Sequence, residues 1–127
     1  MCQARYLLAI GLLILASCEK NPVTIASSDV RSPDGQWIAT AHTDQYSGPG
    51  NAGLYVFVSL YRTAGLKDTM HVLSLDVGEQ SPPIAVRMVW LSNSHLEIQY
   101  REPATIEFQV IKGAGIEISL RDSIISR

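Results

Sequence analysis

Period-two alternation is the feature that most narrows what this chain can fold into. "QWIATAH" (36–42) sets Trp37, Ala39 and Ala41 against Gln36, Ile38, Thr40 and His42. "LYVFVSLYR" (54–62) puts Leu54, Val56, Val58 and Leu60 on one side and Tyr55, Phe57, Ser59 and Tyr61 on the other. The same rhythm returns in "TMHVLSL" (69–75), "IAVRMVWL" (84–91), "HLEIQY" (95–100), "TIEFQVI" (105–111) and "GIEISLR" (115–121). Successive side chains of a strand point to opposite faces, so such runs mark strands with at least one buried face. No window carries a helical period of helical length. The short connections favour antiparallel pairing, because parallel neighbours need a long crossover. The expected fold is therefore all-β, about seven antiparallel strands in a small sandwich or partly open barrel, after an N-terminal signal helix.

Turn chemistry agrees. "SPDG" (32–35) offers Pro33 and Asp34 as turn centres with Gly35 after them. "SNS" (92–94) reads as a hairpin connection, and "KGAG" (112–115) supplies glycines for positive φ. "REPA" (101–104) keeps Pro103 out of a strand ladder. In the last three alternating runs apolar residues face in, and Glu97, Arg101, Glu107, Glu117 and Arg121 are expected to line one solvated face. The runs at 54–61, 71–75 and 84–91 are apolar or aromatic on both sides, which suggests cover on both faces. The alternative is a flat sheet with an exposed aromatic patch around Tyr55, Phe57 and Tyr61, which would be a binding surface.

The first twenty residues follow a different rule. Arg5 is followed by "YLLAIGLLILA" (6–16), an uninterrupted apolar stretch, and then by Ser17 and Cys18. A positively charged start, a short apolar core and small residues at its end describe a secretory signal. The stretch is shorter than the roughly 20 apolar residues that span a bilayer. Residues 1–17 are thus expected to be a signal peptide, 18–28 a tether that begins with Cys18, and 29–127 one all-β domain. The polar "EKNPVTIASS" (19–28) reads as a tether, with a first edge strand over Val23–Ala26 as the alternative.

Leu15-Ala16-Ser17-Cys18 resembles the lipobox of bacterial lipoproteins, in which an aliphatic residue, a small one and Gly, Ala or Ser precede a cysteine. The resemblance implies cleavage after Ser17, a diacylglycerol thioether on Cys18 and acylation of the new amino terminus, so that the chain's first partner is a membrane. It also implies a cell-envelope location. Glu19 is not the Asp that often retains such proteins in an inner membrane, so the periplasmic face of the outer membrane is the expected site where the organism has two membranes. The chain has two cysteines; losing Cys2 with the signal and alkylating Cys18 leaves neither a disulfide nor a catalytic thiol. "SPDGQWIA" (32–39) and "VWLSNSHLEIQY" (89–100) are similar to hairpins of TolB-type β-propeller repeats, although no internal repeat is visible and the chain is too short for four blades. The same order of motifs resembles small bacterial proteins to which no activity attaches.

A search for chemistry yields little. Ten basic and twelve acidic residues leave a formal charge of −2, with no basic footprint for nucleic acid. His42, His71 and His95 fall on different runs without metal-ligand spacing. His42 and Asp44 share a strand face, where two surface polar residues explain them better than a metal. Glu97 and Glu107 are possible cross-strand neighbours, read as surface charges. "DQYSGPGNAG" (44–53) is the most distinctive loop; Tyr46 and Asn51 have the hydrogen-bonding groups to meet a ligand there. It lacks the Lys-Ser/Thr ending of a phosphate loop, so no nucleotide is expected. No catalytic residue, cofactor or metal ligand is assigned. The expected role is binding or structural, with an envelope protein as possible partner; the alternatives are a small hydrolase inhibitor or enzyme using the 44–53 loop, or pairing through edge strands.

Overall fold

The computed structural model describes residues 22–47, 52–64, 69–78, 85–101 and 104–122. They form nine strands: β1 Val23–Arg31, β2 Trp37–Tyr46, β3 Gly53–Arg62, β4 Thr69–Gly78, β5 Val86–Ser92, β6 His95–Tyr100, β7 Thr105–Gln109, β8 Lys112–Gly113 and β9 Ile116–Asp122. Each alternating run of the sequence contains a strand. One sheet has the order β1-β2-β3-β4-β7 and the other β5-β6-β9-β8. They pack through one shared core rather than closing into a barrel. Ser17 and Cys18, and the proposed signal helix before them, lie outside the described residues, as does Asn51.

Alternation decides which side chains meet. Trp37, Ala39 and Ala41 of β2 stand beside Arg62, Leu60 and Val58 of β3, so the inward faces of the two strands coincide. Leu60, Leu73, Leu75, Leu96, Ile98, Val56, Val58 and Val72 are fully buried. The other sheet contributes Val86 and Met88, Leu96 and Ile98, and Ile116 and Ile118. Trp90 straddles the sheets: its indole N–H donates to the Val30 carbonyl at 3.1 Å, tying β5 to β1.

Four expectations change. The segment 23–28, read as tether, is the first part of β1, held by backbone pairing with β2 from Val23↔Gln45 onward. Val23 and Ile25 stay exposed, so its composition carries no core signal. Pairing is not antiparallel throughout, since β6 and β9 run parallel. The connection between them leaves its sheet, adds β7 to the other one and returns through β8, which gives the length a parallel crossover needs. Glu107 therefore does not share a face with Glu97, Glu117 and Arg121, and Glu97 and Glu107 are not cross-strand neighbours. Finally, β7 does not bury its apolar residues: Ile106 and Phe108 are 39% and 45% exposed.

The turns show why their residues are used. Gly35 N–H donates to the Ser32 carbonyl at 2.9 Å, closing the Pro33-Asp34 turn, and Gly35 has φ 74°. Buried Ser32 donates from Oγ to Asp34 Oδ1 (2.8 Å) and accepts from Trp37 N–H (3.1 Å). That hydroxyl, and then the Gln36 N–H, hold the Asp34 carboxyl below the usual carboxylate range. At the β8–β9 turn Ala114 and Gly115 both have positive φ, 52° and 80°. The alanine sits where a side chain is disfavoured by roughly 1–2 kcal/mol and where hairpins favour Asn-Gly. Ala114→Asn is expected to stabilise the fold by about 0.5–1 kcal/mol, read as a raised urea midpoint with unchanged slope; a lowered midpoint would contradict this account of the turn.

Candidate functional site

The outer face of the five-stranded sheet carries the densest group of aromatic and polar side chains, and no described strand lies over it. Two bulges assemble it. Between Val58 and Ser59 the partner register on β4 jumps from Leu73 to His71, leaving Val72 as the extra residue. His71 and Ser74, three apart, therefore both point outward, and His71 Nε2 meets Ser74 Oγ at 2.9 Å. On β7 the register jumps from Phe108, opposite Ser74, to Ile106, opposite Leu75, with Glu107 as the extra residue. This places Phe108 on the outer face, opposite the inward side expected for it.

The resulting row crosses four strands. His42 on β2 is opposite Phe57 on β3, Phe57 opposite Ser74 on β4, and Ser74 opposite Phe108 on β7. Ring centroids follow at 5.5 Å for His42–Phe57, 5.8 Å for Phe57–His71 and 5.3 Å for the stacked His71–Phe108 pair. Such separations are those of favourable aromatic pairs. A second row, Asp44–Tyr55–Asp76–Thr105, runs beside it. Tyr46 meets the Tyr55 ring edge-on at 5.3 Å.

Tyr46, Tyr55, Phe57, Ser74, Glu107 and Phe108 line an open concavity of about 410 Å³. Of the residues singled out in the sequence, Tyr46, Tyr55 and Phe57 converge here. Tyr61 lies on the same face but opposite Ile38 and Thr69, and does not line the concavity. The two-sheet expectation holds, and on the outer side of β3, where no described strand lies, Tyr55, Phe57 and Tyr61 are half-buried rather than exposed. The two ends of the 44–53 segment are strand: β2 runs to Tyr46 and β3 begins at Gly53, which are paired, and 48–51 lie outside the described residues. Sequence reasoning missed Ser74, Glu107 and Phe108 as lining residues. Period two without bulges sends Phe108 inward, and nothing local marks Glu107 as a bulge.

Electrostatics sharpen the site. Asp76, then partial desolvation, then Glu107 and Tyr46 raise the Tyr55 phenol above its ordinary value, so at neutral pH it is a protonated donor in a negative field. Asp44 accepts from Thr24 Oγ1 at 2.6 Å and lies 3.7 Å from His42 Nε2. Asp76 accepts from Gly78 N–H at 3.1 Å. The Glu107 side chain has no ion pair or hydrogen bond among the described residues. No group of three His, Cys, Asp or Glu residues suited to a metal occurs among the described residues.

Partial desolvation, and then the neighbouring His42, lower the pKa of His71. A histidine kept neutral in the fold binds fewer protons than in the unfolded chain. Its contribution is therefore intact above the unfolded value of about 6.5 and declines as pH falls through it toward the lower folded value. His71→Gln, which leaves a polar group near Ser74, is expected to flatten the fall in melting temperature between about pH 8 and about pH 5; an unchanged slope would contradict this assignment.

Compared with protein-family models, curated proteins and solved structures, the chain matches none.

Proposed function

We propose that the protein is a lipid-anchored component of the bacterial cell envelope that acts by binding a partner protein through the outer face of its five-stranded sheet. The anchor half of this reading rests on the lipobox-like Leu15-Ala16-Ser17-Cys18 behind an apolar signal. The binding half rests on one observation: a sheet face over which no described strand lies concentrates Tyr46, Tyr55, Phe57 and Phe108 around a concavity. Aromatic residues dominate binding hot spots, since each offers a large, stiff contact area. Rings left on a sheet face away from the core do not contribute to the main core, which supports a role in recognition.

The opposite surface of the sandwich lacks this character. Around His95, Glu97, Glu117 and Arg121 it is polar, and in its Arg121–Glu97 pair at 3.8 Å the arginine is half open to solvent. Such a pair contributes about 0–1 kcal/mol and needs no functional explanation.

The two faces provide the test. A photo-reactive phenylalanine derivative at Tyr55 is expected to form an adduct with one envelope protein in living cells, and the same group at exposed Glu117 on β9 is not. The adduct should disappear when Phe57→Ser is added to a chain that still folds. Equal adducts from both positions, or none from Tyr55, would contradict the reading. A hydrolase recovered as the adduct would identify the binding as inhibition.

A further inference from the structure

The concavity has a charge sign as well as a shape. Among the described residues its lining contains one carboxylate, Glu107, and no Lys or Arg. Asp76 and Asp44 stand in the adjoining row, in register with Tyr55. Asp44 is engaged by Thr24 and His42, and Asp76 by a backbone N–H, whereas Glu107 is uncommitted among the described residues. Arg62, held over the Trp37 ring at 4.7 Å, sits at the far end of the sheet. His71, beside the concavity, is held toward its neutral form and so does not offset the negative charge.

Aromatic faces beside a carboxylate with no described partner suit a cation, because ring faces are electron-rich and attract positive charge. The concavity is open, so a bound group keeps part of its water. Guanidinium suits the rings and carboxylate better than ammonium: it is planar, stacks on rings and meets a carboxylate with a fork of N–H donors. We infer that the concavity takes an arginine side chain presented by the partner protein, its guanidinium stacked on the Phe57 and Phe108 side of the site and its N–H groups directed at Glu107. This inference rests on the proposed use of the face for binding and adds the chemistry of what is bound.

The neutral isostere of arginine separates charge from shape. The full-length protein in non-ionic detergent would be titrated with N-acetyl-Gly-Arg-Gly-amide, with the same peptide carrying citrulline, with its lysine counterpart and with a neutral N-acetylglucosamine oligomer, following backbone amide resonances. The arginine peptide is expected to shift amides of 54–57, 74–76 and 105–108 saturably. The lysine peptide should bind more weakly, and the citrulline peptide and the sugar should leave these amides in place. Glu107→Gln lies on an exposed edge strand and should keep the wild-type melting temperature and amide dispersion. It should weaken arginine-peptide binding about threefold to tenfold, the span of roughly one charge-assisted contact. Citrulline binding as well as arginine, the sugar binding in its place, or no peptide moving these resonances would each overturn the inference. A Tyr55 adduct formed in cells despite that failure would keep the binding face and discard its arginine chemistry; absence of both would remove the two together.

Discussion

Leu96→Ala is expected to remove about 2–5 kcal/mol of folding stability. Leu96 has no exposed surface and lies on β6, inside its sheet, between Trp90 of β5 and Ile118 of β9. Truncation there deletes buried methyl groups and leaves a cavity that paired strands on both sides cannot collapse. Natural domains have only about 5–15 kcal/mol in hand, so the loss is a large share of the total. For a domain near 100 residues each kcal/mol moves the melting temperature by about 4–8 °C, and a fall of roughly 10 °C or more is expected. Leu91, on the same hairpin, is 52% exposed; Leu91→Ala should stay within about 0.5 kcal/mol of wild type. Equal effects at the two positions, measured by urea unfolding, would mean that the core described here is wrong.

That contrast was legible in the sequence because it depends on parity alone. Leu96, Ile98, Ile116 and Ile118 alternate with polar neighbours, and all four are buried. The Ser32–Gly35 turn and the β5–β6 hairpin were equally readable, since turn chemistry is local. What escaped is what crosses strands. A bulge inverts parity beyond it, so Val72 and Glu107 decide that His71, Ser74 and Phe108 share a face. Neither residue differs in composition from one in a regular strand. The parallel β6–β9 pair escaped for a related reason. Nothing in "REPATIEFQV" shows that the segment joins the opposite sheet before returning. β1 went half unread because Val23, Ile25 and their neighbours are held by backbone pairing, which has no side-chain signature. The aromatic residues Tyr55 and Phe57 were visible as candidates, but cover over both faces of β3 was the favoured reading. The outer rings instead pack on one another and on histidines in the plane of the sheet, with no second layer required.

The second large effect concerns Cys18. On the proposed reading its sulfur carries a diacylglycerol group and its new amino terminus a further acyl chain. A single chain binds a bilayer only marginally, while each buried CH₂ adds about 0.8 kcal/mol, so two or three chains hold the protein on the membrane for practical purposes. Cys18→Ala removes the thioether and the cleavage signal together. Uncleaved, the variant keeps "YLLAIGLLILA", a stretch short for a stable span. The expected outcome is loss of lipid label and a larger apparent mass. The folded domain should be unaffected, because Cys18 precedes β1 and the core begins further along the chain.

An anchored domain that presents its aromatic face is the central claim, and radiolabelled palmitate tests its foundation most directly. Cells expressing the wild type and Cys18→Ala would be labelled in parallel, and the protein isolated from each. Label in the wild type and none in the variant, with both chains giving the same melting transition, is the predicted result. Label in both, or in neither, would contradict the account.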